Sequence, residues 1–310
     1  MSDTDIVKYD ENYIASLTNG ASDEIEELAG EVNPLELMPR MVLPRDGTKD
    51  MKCTLGEDTI FTRRRVTAIV VWCGARRTLW QPEGQGGEDA NIPVCSTGVV
   101  KVSTFNRNND LGVGRWIVSG NEELPSPYAS EELSEDQQVN VHCAECRFSN
   151  FGSTGLWDGT PGDAGKACKE GRILALRIVD ETQQVRLPTG DSIGIFSYDP
   201  SSPIVLMNLS ATSIKTVRKM ATAAVSRNIP LSRIVWNLGA ELKENGSIQW
   251  SVLDAELAGY PEKDVLLSLK ADRDKVISLF TEDRAEVAAA NTTIELNEQG
   301  ESFTVSDVPF

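Results

Sequence analysis

Cys143-Ala144-Glu145-Cys146 sets two thiols at the bite a turn uses to present thiolates to one tetrahedral zinc. Cys168 follows in Gly165-Lys166-Ala167-Cys168-Lys169, and Cys95 precedes in Pro93-Val94-Cys95-Ser96. Cys95, Cys143, Cys146 and Cys168 together can close a four-thiolate structural site. Residues 148–153 and 158–162 are rich in turn formers, as the loop of a zinc knuckle would be. His142 is the sole histidine and adjoins Cys143; adjacent residues rarely bind one tetrahedral ion, so it is held as a spare ligand. A redox pair at Cys143 and Cys146 stays open, although the strand-then-helix setting of such pairs is missing. Cys73 lies in an apolar run and reads as a small core residue, and Cys53 as an isolated thiol.

A second chemistry lies in flat rings beside cations. Trp72, Arg76, Arg77 and Trp80 form one such group, and Arg107, Arg115 and Trp116 a second. Arg147, Phe148, Phe151 and Trp157 form a third. A ring stacks a nucleic-acid base while a neighbouring cation meets its phosphate, which suits single-stranded nucleic acid. Arg76, Arg77, Trp80, Arg115 and Trp116 are the expected lining of such a groove. Trp72, in an apolar run, is expected in the core instead; for Trp80, Trp116 and Trp157 core and contact readings both stand.

Catalysis finds less support. One histidine in 310 residues argues against Ser-His-Asp, Cys-His and multi-histidine metal chemistry. No Walker motif occurs, and Gly112-x-Gly114 and Gly152-x-x-Gly155 lack the strand and helix a phosphate cradle needs. No catalytic residue is assigned. A metal-dependent nuclease stays open as an alternative, since its acids can lie far apart in sequence, as does a zinc-stabilised adaptor.

The sequence closes on Ser306-Asp307-Val308-Pro309-Phe310. An acid, an aliphatic, a proline and a terminal phenylalanine resemble the C-terminal tip of bacterial single-stranded DNA-binding proteins. The resemblance implies a docking peptide made of Asp307, Val308, Pro309 and Phe310. The final ring would enter an apolar pocket on a replication or repair enzyme, and the carboxylate would meet a base there. The cysteine segment is similar to a recurring pattern of phage and mobile-element proteins. It is carried here by Cys95-Ser96, Cys143-x-x-Cys146, Phe151-Gly152-Ser153, Gly165-Lys166-Ala167-Cys168-Lys169 and Arg172. That similarity favours Cys95 as the fourth ligand.

Charge is distributed unevenly. The net charge is −17, yet residues 1–40 hold ten acids against two bases and residues 281–310 seven against one. Residues 41–280 keep 30 acids and 27 bases, and within them residues 41–118 carry eleven bases against eight acids, so a local basic face is allowed. Both termini read as disordered. No run of apolar residues is long enough to span a membrane, and the first residues lack the basic and apolar regions of a secretory signal. The expected location is the cytoplasm of a bacterial host cell.

The elements that must position these groups are mostly strands. Residues 65–72, 172–179, 192–197 and 203–207 read as strands from their β-branched content. A helix is expected from Ser210 or Thr212 to about Arg227, with Ile214, Val217, Met220, Ala221 and Ala224 on its core face. Residues 233–238 and 247–252 flank Glu244-Asn245-Gly246, an Asn-Gly hairpin signal. A last helix is expected from about Pro261 to Phe280, with Val265, Leu266, Leu269, Val276 and Phe280 inward. Glycine-rich and acidic loops are expected at 83–89 and 119–138, and a short helix from Ser22. The expected class is α+β, mainly β: an OB-like barrel core with a zinc-binding insertion and disordered acidic termini. The divisions are an acidic arm at 1–40, a nucleic-acid-binding domain at 41–280 with its zinc segment at 93–170, and a flexible tail at 281–310 ending in the docking tip. Its expected work is to bind single-stranded DNA without catalysis in replication or recombination.

Overall fold

A fifteen-residue strand, β4 (Arg65–Leu79), organises the fold. At about 3.3 Å per residue it extends for roughly 50 Å. Nearly its whole length lies in the main sheet, and its last residues reach the cysteine segment. The computed structural model describes residues 37–44, 48–80, 93–97, 100–101, 113–116, 126–127, 140–158, 165–186, 190, 192–246 and 248–292. The acidic arm, the loops at 83–89 and 119–138 and the tip at 307–310 lie outside the described residues, apart from residues 37–40 and Ser126 and Pro127.

The remaining strands are β1 (Arg40–Val42), β2 (Met51–Leu55), β3 (Asp58–Arg63), β5 (Cys95–Thr97), β6 (Val100–Lys101), β7 (Val113–Trp116), β8 (Asn140–His142), β9 (Lys169–Ile178), β10 (Asp180–Arg186), β11 (Ser192–Ser197), β12 (Val205–Leu209), β13 (Val235–Asn245) and β14 (Ile248–Pro261). The helices are α1 (Thr154–Asp158), α2 (Ile214–Ser226) and α3 (Leu266–Thr292). The sheet runs β10-β11-β14-β13-β4-β9-β12-β1-β2-β3, with β5, β6, β7 and β8 branching from the far end of β4. β1 with β12 and β11 with β14 are parallel, and every other pairing is antiparallel. The protein is mainly β with few helices, as expected. The expected barrel is not closed: among the described residues β10 and β3 end the path and do not pair with each other.

Alternation along β4 supplies both faces of the sheet. Val66, Ala68 and Val70 join Leu174, Leu176, Met207, Trp236 and Leu238 on one side, where Val217, Met220 and Ala224 of α2 pack. Ile69 and Val71 join Val179, Phe196 and Val235 on the other, with Val265 and Leu269. Each large apolar side chain so buried contributes about 1.5–3 kcal/mol. The register shifts between Val70 and Trp72. A bulge of this kind turns adjacent side chains to one side, and Trp72 stacks on Phe280 of α3 at 4.9 Å between ring centroids. Trp72 is therefore core.

The buried stripe of α3 contains one acid. Asp272 lies between Leu269 and Val276, and Arg177 of β9 grips it with two donors, Nε at 2.8 Å and Nη2 at 2.5 Å. The Tyr198 hydroxyl donates to the same carboxylate at 2.9 Å. Arg177 also donates to the Ser202 carbonyl, and its guanidinium lies over the Tyr198 ring. Burial, and then the bond to Asp272, push the Tyr198 phenol well above its ordinary pKa. This bidentate cluster fixes α3 to the sheet.

Two glycines have a structural reason. Gly246, at φ 62°, makes the turn of the β13–β14 hairpin. A Cβ on Gly259 would lie 2.0 Å from the Gly194 carbonyl oxygen, so β11 and β14 close only without a side chain there.

Candidate metal centre

The branch at the end of β4 carries the cysteines. Leu79 pairs with Cys95 of β5, Cys95 with Trp116 of β7, and Val113 of β7 with His142 of β8. Cys143 follows β8, and Cys168 stands immediately before β9. Since β9 pairs with β4 as far as Thr78, the ladder returns Cys168 to the same end. Cysteines from three parts of the sequence are therefore brought to one end of β4.

The local turns are tight. The His142 carbonyl accepts from the N–H of Glu145 at 3.0 Å and of Cys146 at 3.1 Å. Cys146 then opens a single 3-10 turn, Arg147–Ser149. The Ser149 N–H donates to the Cys146 carbonyl at 3.0 Å, and the backbones of Phe148 and Ser149 favour the Cys146 thiolate. The Cys168 N–H donates to the Phe148 carbonyl at 3.0 Å. Ser153, fully buried, accepts from the Ala167 N–H at 2.9 Å while its hydroxyl lies 2.6 Å from the Asn150 carbonyl and 3.0 Å from that of Phe148. These bonds hold the segment before Cys168 against the turn that Cys146 opens.

All four sulfurs are buried, and none is in a disulfide. Burial pushes the Cys95 thiol far up, and charge on Cys143, Cys168 and Cys146 would push it further. Burial raises Cys168 to about 12, with Cys143 and Cys146 adding to the rise and Arg77 opposing it. Cys146 is raised by burial against its N–H donors. Four thiols that influence one another's ionisation occupy one locality. Among the described residues no three thiol, imidazole or carboxylate groups stand ready to hold a metal ion. His142 is exposed between buried Val141 and Cys143. Cys73 and Cys53 stand apart, in and against the α2 core, and burial raises both, Cys73 to about 11.

The chain matches no family model, no curated protein and no solved structure.

The expected groove residues separate. Trp116 is buried: its ring stacks on Phe148 at 6.3 Å and meets the edge of Trp157 at 6.2 Å. Trp157 is buried too, and its indole N–H donates to the Trp80 carbonyl at 2.8 Å. Arg77 turns inward, close enough to Cys168 for its charge to favour that thiolate. Trp116 and Arg77 are thus packing residues of the cysteine unit rather than a groove lining. Arg76 is half-buried beside Arg40, and burial followed by that like charge lowers its pKa. The backbone of Arg115 pairs in β7, but its side chain lies outside the described residues.

Trp80 remains 44% exposed and Phe151 80% exposed, at the surface of the unit whose interior holds the thiols. The Lys166 ammonium stands over the Phe151 ring at 4.7 Å. The sequence groups Phe151 with Arg147, but the cation facing it, Lys166, comes from fifteen positions downstream.

Proposed function

We propose that this protein binds single-stranded DNA through a zinc-stapled unit. The observation that carries the reading is that four buried cysteines and two exposed aromatic rings, Trp80 and Phe151, belong to the part of the fold at the end of β4. Such a unit has few residues with which to build a core, and a structural zinc supplies the missing folding energy. Zinc takes thiolates at about 2.3 Å and requires their deprotonation, which the ion's own charge drives. The donor set fits: four buried cysteines, a turn backbone that favours the Cys146 thiolate, and an Arg77 charge that favours that of Cys168. The cluster would hold Trp80 and Phe151 in fixed positions, as stacking platforms need to be. The recruiting role of Asp307, Val308, Pro309 and Phe310 is part of the same proposal and is carried by sequence alone.

The test is to replace each ring. Trp80→Ala and Phe151→Ala should each weaken oligo-dT binding by about 1–3 kcal/mol, the size of one stacked base. Zinc content and melting temperature should stay near those of the parent protein, because both rings are exposed. Unchanged oligo-dT affinity in the double variant would place the bases elsewhere.

A further inference from the structure

The chain carries 47 acids in 310 residues, yet none falls between Asp199 and Glu241. That interval holds Lys215, Arg218, Lys219, Arg227 and Arg233. Three of these cations share one face of α2. Lys215, Arg218 and Lys219 recur at helical spacing, Thr222 and Ser226 continue the row, and all five residues are exposed. The opposite face, Ile214, Val217, Met220 and Ala224, is buried in the sheet's core. The cations therefore cannot turn inward without dismantling that core.

The face is electrostatically one-sided. Lys215, Arg218 and Lys219 make no ion pair with a described residue. Lys215 and Lys219 stand four apart and repel, where a helix built only for solubility would alternate acids with bases. Arg233 is exposed in the 3-10 turn Leu231–Arg233, just beyond the helix. Arg227 is tied to the helix end, donating to the Ala223 carbonyl at 3.0 Å. From Lys215 to Ser226 the row covers about 16 Å of helix.

A lipid surface does not fit, because an interfacial helix needs an exposed apolar face and that of α2 is already buried. A linear polyanion fits: regularly spaced negative charge meets regularly spaced positive charge with no apolar partner required. We infer that the exposed face of α2, through Lys215, Arg218 and Lys219 with Arg233 beyond them, carries the phosphate backbone of the bound single strand. The inference rests on the DNA-binding reading and adds a contact surface of charge to the stacking rings on the cysteine unit.

The experiment compares the full-length, zinc-loaded protein with its Lys215→Ala/Arg218→Ala/Lys219→Ala variant. Oligo-dT affinity is measured across a salt series from about 50 to 200 mM. Each phosphate contact contributes about 0.7 to the slope of log K against log salt for a single strand, so three lost contacts should flatten it by about two. The melting temperature should hold, since all three side chains are exposed, and the single Arg218→Ala variant should flatten the slope by about one-third as much. A parent protein that binds while the triple variant keeps its affinity and slope overturns the inference and leaves the DNA reading standing. An α2 face reserved for an acidic protein gives that same result. A parent protein that does not bind oligo-dT even at the lowest salt overturns the DNA reading, and this inference with it.

Discussion

Cys146→Ser is expected to take bound zinc from one ion per chain to well below it and to lower the melting temperature sharply. Loss of a structural metal is among the few single changes that reach about 4 kcal/mol or more. Cys146 is the most telling of the four. The backbones of Phe148 and Ser149 favour its thiolate, and its own backbone opens the turn on which Phe148 and Cys168 rest. The buried aromatic triad of Trp116, Phe148 and Trp157 should loosen with it, so near-ultraviolet circular dichroism should lose intensity. Cys73→Ser, whose thiol stands by the α2 core, should leave zinc content unchanged. Equal zinc content in the Cys146→Ser protein and its parent would remove the metal from the account.

Asp272→Ala should cost about 3–5 kcal/mol, read as a fall in the denaturation midpoint. The size follows from burial: the two side chains are only 7% and 11% exposed, and removal of the carboxylate strands the Arg177 guanidinium in a dry site. Asp272→Asn should cost less, because the amide oxygen still accepts one of the two bonds. Zinc content should survive both changes, since α3 packs on the sheet face with Ile69 and Val235 and not on the cysteine unit. A loss under about 1 kcal/mol would show that water reaches Arg177, as it does in exposed pairs.

Asp272 also marks the limit of sequence reading. The apolar stripe was legible in Val265, just before α3, and in Leu266, Leu269, Val276 and Phe280, but the acid seated within it has a partner 95 positions away on β9. Pattern can show the gap in a stripe and cannot name what fills it. α2 was read nearly to its ends because its apolar positions follow the helical period. The hairpin turn was read from Asn245-Gly246, although its strands run longer than the pattern showed. Pro261 was expected to open the last helix. It instead closes β14 beside Phe196, and the helix begins at Leu266 after a 3-10 turn. The helix also continues past Phe280 to Thr292, where the tail was expected to begin, through the strong helix formers Ala288, Ala289 and Ala290.

Strands without apolar alternation escaped notice. β10, Asp-Glu-Thr-Gln-Gln-Val-Arg, is exposed along its length and exists because it pairs with β11. β5, β7 and β8 have three or four residues each, too few to show a period. Of the candidate site, the four cysteines were legible because spacing and residue type carry the chemistry. The groove was not, because a tryptophan beside an arginine has the same letters on a surface as in a core. Burial decided that Trp80, just past β4, faces out and that Trp116, on β7, faces in. The basic face of α2 was visible all along as an interval without acids, a signal hidden by the acidity of the whole chain.

One titration tests the central claim most directly. Oligo-dT is added to the full-length, zinc-loaded protein at low and at high salt, and tryptophan fluorescence is followed. The account predicts saturable quenching through Trp80, weaker at the higher salt and abolished when zinc is stripped with a chelator. Fluorescence that stays flat at low salt, with no shift of the oligonucleotide on a gel, would contradict it.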